Sequence, residues 1–130
     1  MAPGVGRLSS DAFPRTLRLR RREEFLRVQR GGKRVHTAHF ILILAPRDAE
    51  RASPARIGIT VTTKVANSVG RNRIKRVVRE VFRRYRSFFP QGHDVVVIAK
   101  SGADQLGYDA VRAEIERVRR ALARAAGATE

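Results

Sequence analysis

The chain contains no cysteine, which removes disulfide frameworks, thiolate zinc sites and cysteine nucleophiles from consideration together. A reducing cytoplasm is the expected location. No stretch approaches the ~18 consecutive apolar residues that a membrane span requires, and residues 1–14 lack the continuous apolar core of a signal peptide. Those residues read as a loose Gly/Ser/Pro leader, followed by one domain over 15–126 and a short tail over 127–130. Acidic residues are scarce: 12 Asp and Glu stand against 28 Lys and Arg, a net charge of +16. Paired carboxylates, a nucleophile elbow and a phosphate-cradling glycine loop are also missing; Gly31-Gly32 is a helix stop without the flanking residues of a P-loop. His36, His39 and His93 have no metal-ligand partners at useful spacing. Neither a catalytic residue nor a metal or cofactor held by the protein itself is expected.

What is present points to a folded binder of a polyanion. Hydrophobic residues make up 42% of the 130 positions, enough for a core and more than a disordered basic tail carries. The charge is clustered: Arg15 to Arg34 holds nine basic and two acidic residues, and Arg71 to Arg86 holds eight and one, so each block is +7. From Asp104 to Glu130 the signs balance at five each, which marks that segment as a packing element. The nucleic-acid surface is therefore expected from the first two blocks.

Periodicity places the elements. Glu23 to Arg30 reads as a short helix with two glutamates in its first turn, stopped by Gly31-Gly32. Lys33 to Thr37 reads as a short strand, and the apolar run Phe40 to Ala45, ended by Pro46, as a buried one. Arg56 to Lys64 alternates, with Ile57, Ile59 and Val61 on one side and Thr60, Thr62 and Lys64 on the other, so its polar side is a candidate binding floor. Asn67 or Ser68 caps a long helix to about Ser87, with Ile74, Val77, Val78, Val81, Phe82 and Tyr85 at spacings of three and four. Val95 to Ala99 is a fourth strand, and Tyr108 to Ala126 a last helix closed by Gly127. The order αβββαβα implies an α/β fold, an α+β sandwich with one four-stranded sheet.

On a helical wheel Asn72, Lys75, Arg76, Arg79, Arg83 and Arg86 fall within about 100° of one another, opposite the apolar stripe. Like charges at these spacings repel, and only Glu80 offsets them, through Arg76 and Arg84. An ordinary solvated face would intersperse signs; a ridge of this kind suits a helix that tracks phosphates.

The run Lys64-Val65-Ala66-Asn67-Ser68-Val69-Gly70-Arg71-Asn72-Arg73-Ile74-Lys75-Arg76-Val77-Val78-Arg79-Glu80 closely resembles the signature of the bacterial ribonuclease P protein family. Arg18 to Phe25 followed by Gly31-Gly32 looks like that family's first helix, and the strands and last helix fall in its order. The resemblance implies a partner to a large catalytic RNA that removes the 5′ leader from precursor tRNA, with Mg2+ held by the RNA and no obligate protein partner. It assigns Arg71, Asn72, Arg73, Lys75, Arg76 and Arg79 to the catalytic RNA, and Arg18, Phe25, Ile43, Thr60, Thr62 and Lys64 to a cleft for the leader. It also implies a left-handed crossover between the strands flanking the basic helix, against the usual rule. Two positions depart from the family pattern: Gln29 and Ile43 stand where cleft aromatics are usual, so leader affinity is expected to rest more on charge and on Ile41 and Ile43. A role for Phe25 in core or cleft, and for Lys64 in phosphate contact or plain solvation, stays open. A ribosomal-type RNA binder would share the basic helix but not the other matches. A protein-only nuclease would need clustered carboxylates, and only Glu80 and Asp94 lie near the basic helix in sequence.

Overall fold

The computed structural model of the chain describes residues 15–47 and 54–127; the proposed leader, most of the loop after Pro46 and most of the tail fall outside them. Along the chain come α1 (Arg22–Gly31), β1 (Lys33–His36), β2 (Phe40–Pro46), β3 (Arg56–Thr60), α2 (Ser68–Arg84), β4 (His93–Ala99), α3 (Tyr108–Arg117) and α4 (Arg119–Ala125). Short 3-10 turns cover Arg15–Leu17, Arg86–Phe88 and Ala103–Gln105. The sheet order is β1-β2-β4-β3. The first two pairings are antiparallel, whereas β3 and β4 run parallel and are joined through α2. The expected αβββαβα order and four-stranded sheet are present.

Strand alternation divides the apolar residues between two faces. Phe40, Leu42 and Leu44 of β2, Ile57 and Ile59 of β3, and Val95 and Val97 of β4 meet α2, α3 and α4 in the larger core. Ile43, Ala45 and Val96 point to the opposite face, where α1 lays Val28 against them and Leu19 closes the edge. The FILILA run carries no polar position because β2 lies between two strands and under helices on both sides.

Element ends shift by one or two residues in several places, and three differences from the sequence reading go further. The alternation after Arg56 continues to Lys64, but β3 ends at Thr60, paired with Ile98 one residue before β4 itself ends. Without a neighbouring strand the chain turns, and the Val65 N–H bonds the Thr62 carbonyl at 3.1 Å. The long helix stops at Arg84 instead of Ser87; Tyr85 leaves helical geometry (φ −128°, ψ 54°), and the following turn delivers Phe88 and Phe89 into the core. The last helix is two helices, broken at Val118 (φ −105°, ψ 10°), so that α3 packs on α2 while α4 is redirected toward β1. Gly127, read as the stop, has φ +82° and bonds back to Arg124 at 2.9 Å, a conformation that glycine adopts without strain.

Two buried carboxylates tie the elements together. Asp94, fully buried, accepts from Arg56 Nε and Nη2 at 2.8 Å each, from Arg47 Nη1 at 3.0 Å and from Arg27 Nη2 at 2.5 Å. Burial alone would raise its pKa, but the hydrogen bonds from Arg56 and Arg47 outweigh burial and hold it below the ordinary aspartate value. This knot joins α1, β3 and β4. Glu114 of α3 accepts from the Thr37 hydroxyl at 2.5 Å and from the His39 backbone N–H at 2.6 Å, with His39 Nδ1 2.9 Å away. It pins the β1–β2 turn to the helical layer.

Candidate nucleic-acid interface

Helix α2 begins where its sequence says it should: the Asn67 side chain accepts from the Gly70 N–H at 2.9 Å, satisfying one orphan donor of the first turn. Ile74, Val78, Val81 and Phe82 bury one face, which forces the cationic ridge outward. Arg18 reaches the ridge because residues before α1 run beside the free edge of β3, bridging Ile57, with the Leu19 N–H bonded to the Ile57 carbonyl at 2.9 Å. Arg18, Asn72, Lys75, Arg76, Arg79, Glu80 and Arg83 together line a cavity of about 420 Å³. Partial burial, with Arg18 repelling from across the cavity, pulls the pKa of Arg79 below its ordinary value. Such a site favours a multivalent anion, whose charge would offset both the burial and the repulsion.

Glu80 is committed within this wall. Arg83 Nη2 donates to its carboxylate at 2.5 Å and Arg84 Nε at 2.7 Å, and the hydrogen bond from Arg83, the larger influence, helps hold its pKa below the usual glutamate value. Its partners are thus Arg83 and Arg84, in place of the expected Arg76 and Arg84. Arg86 also leaves the ridge: it lies beyond the end of α2, in the turn beside Phe89 and Pro90.

A second cavity, about 400 Å³, opens between α1 and the edge of β3, lined by Arg22, Phe25, Leu26, Gln29, Ile59, Thr60, Val61 and Lys75. Lys75 borders both cavities, so ridge and cleft form one continuous surface. The Phe25 ring lies on Gly58, where an added Cβ would come within 2.6 Å of the ring carbons, so β3 needs glycine at that position. Phe25 therefore packs on the sheet with one side and borders the cleft with the other.

The sequence-predicted residues divide accordingly. Asn72, Lys75, Arg76 and Arg79 share the ridge cavity. Arg71 and Arg73 do not line it: Arg71 Nη1 donates to the Ala66 carbonyl at 3.0 Å and Arg73 Nη1 to the Asp104 carbonyl at 2.5 Å. Of the proposed cleft set, Phe25 and Thr60 line the cleft, and Arg18 belongs to the ridge side. Thr62 and Lys64 are exposed in the connection after β3 and line neither cavity. Ile43 must be corrected. It is fully buried beneath α1, close enough to Gly32 that a Cβ there would meet its methyl at 2.7 Å. Ile41 keeps a half-open position on the same face, in a row with Ile98 and Thr60 beyond the cover of α1. Arg22 and Leu26 were not singled out, although with Phe25 and Gln29 they recur at i, i+3, i+4 and i+7, the signature of one helical face.

Among the described residues there is no group of three His, Cys, Asp or Glu arranged to hold a metal ion, and no helix long and apolar enough to cross a membrane. Asp94 and Glu80, the carboxylates nearest the basic helix in sequence, are both engaged by arginines.

Comparison with known proteins agrees with this geometry. The family model described as Ribonuclease P matches residues 13–123. The chain is 45% identical over 107 residues to the ribonuclease P protein component of Geotalea uraniireducens, covering 82% of this chain and 91% of that protein. It is 42% identical over 114 residues to that of Desulfovibrio desulfuricans, covering 86% and 87%. Among solved structures, the RNase P protein of Staphylococcus aureus superposes with a TM-score of 0.70 at 28% identity, over 80% of this chain and 93% of that one. That of Thermotoga maritima gives 0.69 at 30% identity, over 79% and 94%.

Proposed function

The chain belongs to the ribonuclease P protein family, and from that premise we propose how its surface divides the work of the holoenzyme. As the protein component of a ribonuclease it partners a ribonuclease P RNA, and the family membership sets aside the ribosomal-type alternative. The ridge of Asn72, Lys75, Arg76 and Arg79, with Arg18 opposite, grips phosphates of the catalytic RNA, and Arg71 and Arg73 extend that contact at the start of α2. The cleft of Phe25, Thr60 and Lys75 takes the 5′ leader of precursor tRNA, with Thr62 and Lys64 at its approach. The observation that carries this reading is the shared Lys75: one strand of RNA in the cleft and another on the ridge would lie side by side, each screened from the other by the cations between them.

Chemistry in this reading belongs to the RNA. Water activated on RNA-held Mg2+ hydrolyses the phosphodiester, and the protein binds, orients and neutralises charge. What supports this is the donor set: Asp94 and Glu80, the carboxylates closest to the basic helix in sequence, are spent on arginines. Residues 15–126 act as one domain in the cytoplasm, without an obligate protein partner. Purified protein alone should leave precursor tRNA intact, and adding an in vitro transcribed bacterial ribonuclease P RNA should give cleavage at lower magnesium than the RNA needs by itself. Robust cleavage by RNA-free protein would overturn the assignment.

A further inference from the structure

Among the described residues Val69 is the one large hydrophobic side chain left exposed, at 76% of its full surface. The fold does not call for it. Val69 lies in the first turn of α2, on the opposite side from the stripe of Ile74, Val78 and Val81 that enters the core. It precedes Asn72 and Arg76 by three and seven residues, which places it in line with the cationic ridge. Valine is also a poorer helix former than the lysine, arginine or alanine that an exposed position would ordinarily carry. Basic residues neighbour it on the helix at Arg73 and Arg76, and the first turn of α2 holds no acidic residue; among the described residues Asp104, which approaches Gly70, is the carboxylate nearest that turn.

We propose that Val69 is an apolar contact to the RNA, resting on a base or ribose face of the strand whose phosphates lie along the ridge. The inference rests on the reading of the ridge given above and deepens it. Once phosphates are fixed on Arg76 and Asn72, the next sugar or base of the strand projects toward the helix start, where an alkyl side chain is desolvated without leaving a charge unpaired. A protein partner with an apolar patch fits less well, since it would cover Arg76 and the ridge beside it without supplying anions to pair them. The contact adds affinity that salt does not screen, within an interface otherwise governed by counterion release.

The test uses the full chain and an in vitro transcribed bacterial ribonuclease P RNA, with Kd measured across a series of salt concentrations. Val69→Ser should weaken binding about tenfold and leave the slope of log K against log salt unchanged, while Val69→Ile keeps the affinity. Because the chain has no cysteine, Val69→Cys supplies a unique thiol, and saturating RNA should sharply slow its reaction with a maleimide. An unchanged Kd for Val69→Ser overturns the proposal. So does a weakened Val69→Ser combined with a thiol that RNA fails to protect, because the loss would then act through the helix. Arg76→Ala separates the two levels. If it weakens binding while Val69→Ser is silent, only the valine contact fails; if it too is silent, the ridge reading fails with it.

Discussion

Ile41 and Ile43 sit two residues apart on the same face of β2, and their surroundings are opposite. Helix α1 crosses over Ile43 and Val96 and leaves Ile41 half-open, so an alternation pattern that correctly assigns both to one face cannot say which a helix will cover. Ile43→Ala should therefore cost about 2–4 kcal/mol of stability, whereas Thr60→Ala should leave the denaturation midpoint nearly unchanged and weaken leader binding; urea titration and leader affinity separate the two. Asp94 has a larger structural role than any residue the sequence singled out in the sheet. Replacing it with asparagine leaves Arg27, Arg47 and Arg56 without their shared anion, and a loss of about 3 kcal/mol is expected. The pH dependence follows from sign. Asp94 and Glu114 both have folded pKa values below their unfolded ones, so their stabilisation is full above the ordinary carboxylate range and is lost as pH falls through and below ~4. Chemical denaturation between neutral and acid pH should show this decline, and Asp94→Asn should start lower and decline less steeply.

Helix α2 was the most legible element, because its cap, its period and its charge all agree. Its electrostatics still split on folding. Arg76 and Arg79 face the shared cavity, while Arg71 and Arg73 already donate to backbone carbonyls. Arg76→Ala or Arg79→Ala should each reduce the slope of log K against log salt for RNA binding by about one unit, with smaller changes for Arg71→Ala and Arg73→Ala. Slopes unchanged from wild type for Arg76→Ala and Arg79→Ala would place the ridge in solvent. The helix pair α3 and α4 shows the opposite case. Val111, Ile115, Val118 and Leu122 keep an unbroken helical period, and the break at Val118 has no glycine or proline to announce it. It answers a demand from elsewhere, the need of α4 to reach β1, and a local pattern does not contain that information.

Across the whole molecule a charge of +16 repels itself, most strongly where Arg18 and Arg79 share a partly desolvated cavity. A multivalent anion that binds only the folded arrangement must stabilise it. Sulfate or pyrophosphate at low millimolar concentration should raise the melting temperature more than chloride at matched ionic strength. The Arg76→Ala/Arg79→Ala double variant should start higher and respond less, and equal responses would move the anion site to the Arg15 to Arg34 block. The sequence by itself determined the order of the strands and of the first two helices, the faces of the strands, the start of α2 and the polyanionic nature of the partner, because hydrophobic period, capping chemistry and charge clustering act over a few residues or over the total. Only the tertiary structure decided that Arg18 joins the ridge, that Ile43 is core, that Lys75 borders two cavities and that β3 ends at Thr60. Each of these depends on a neighbour distant in sequence: the edge of β3, the crossing of α1, the wall of the cleft and the length of β4. Contacts of that kind are set by how layers pack, and packing is a property of the assembled chain.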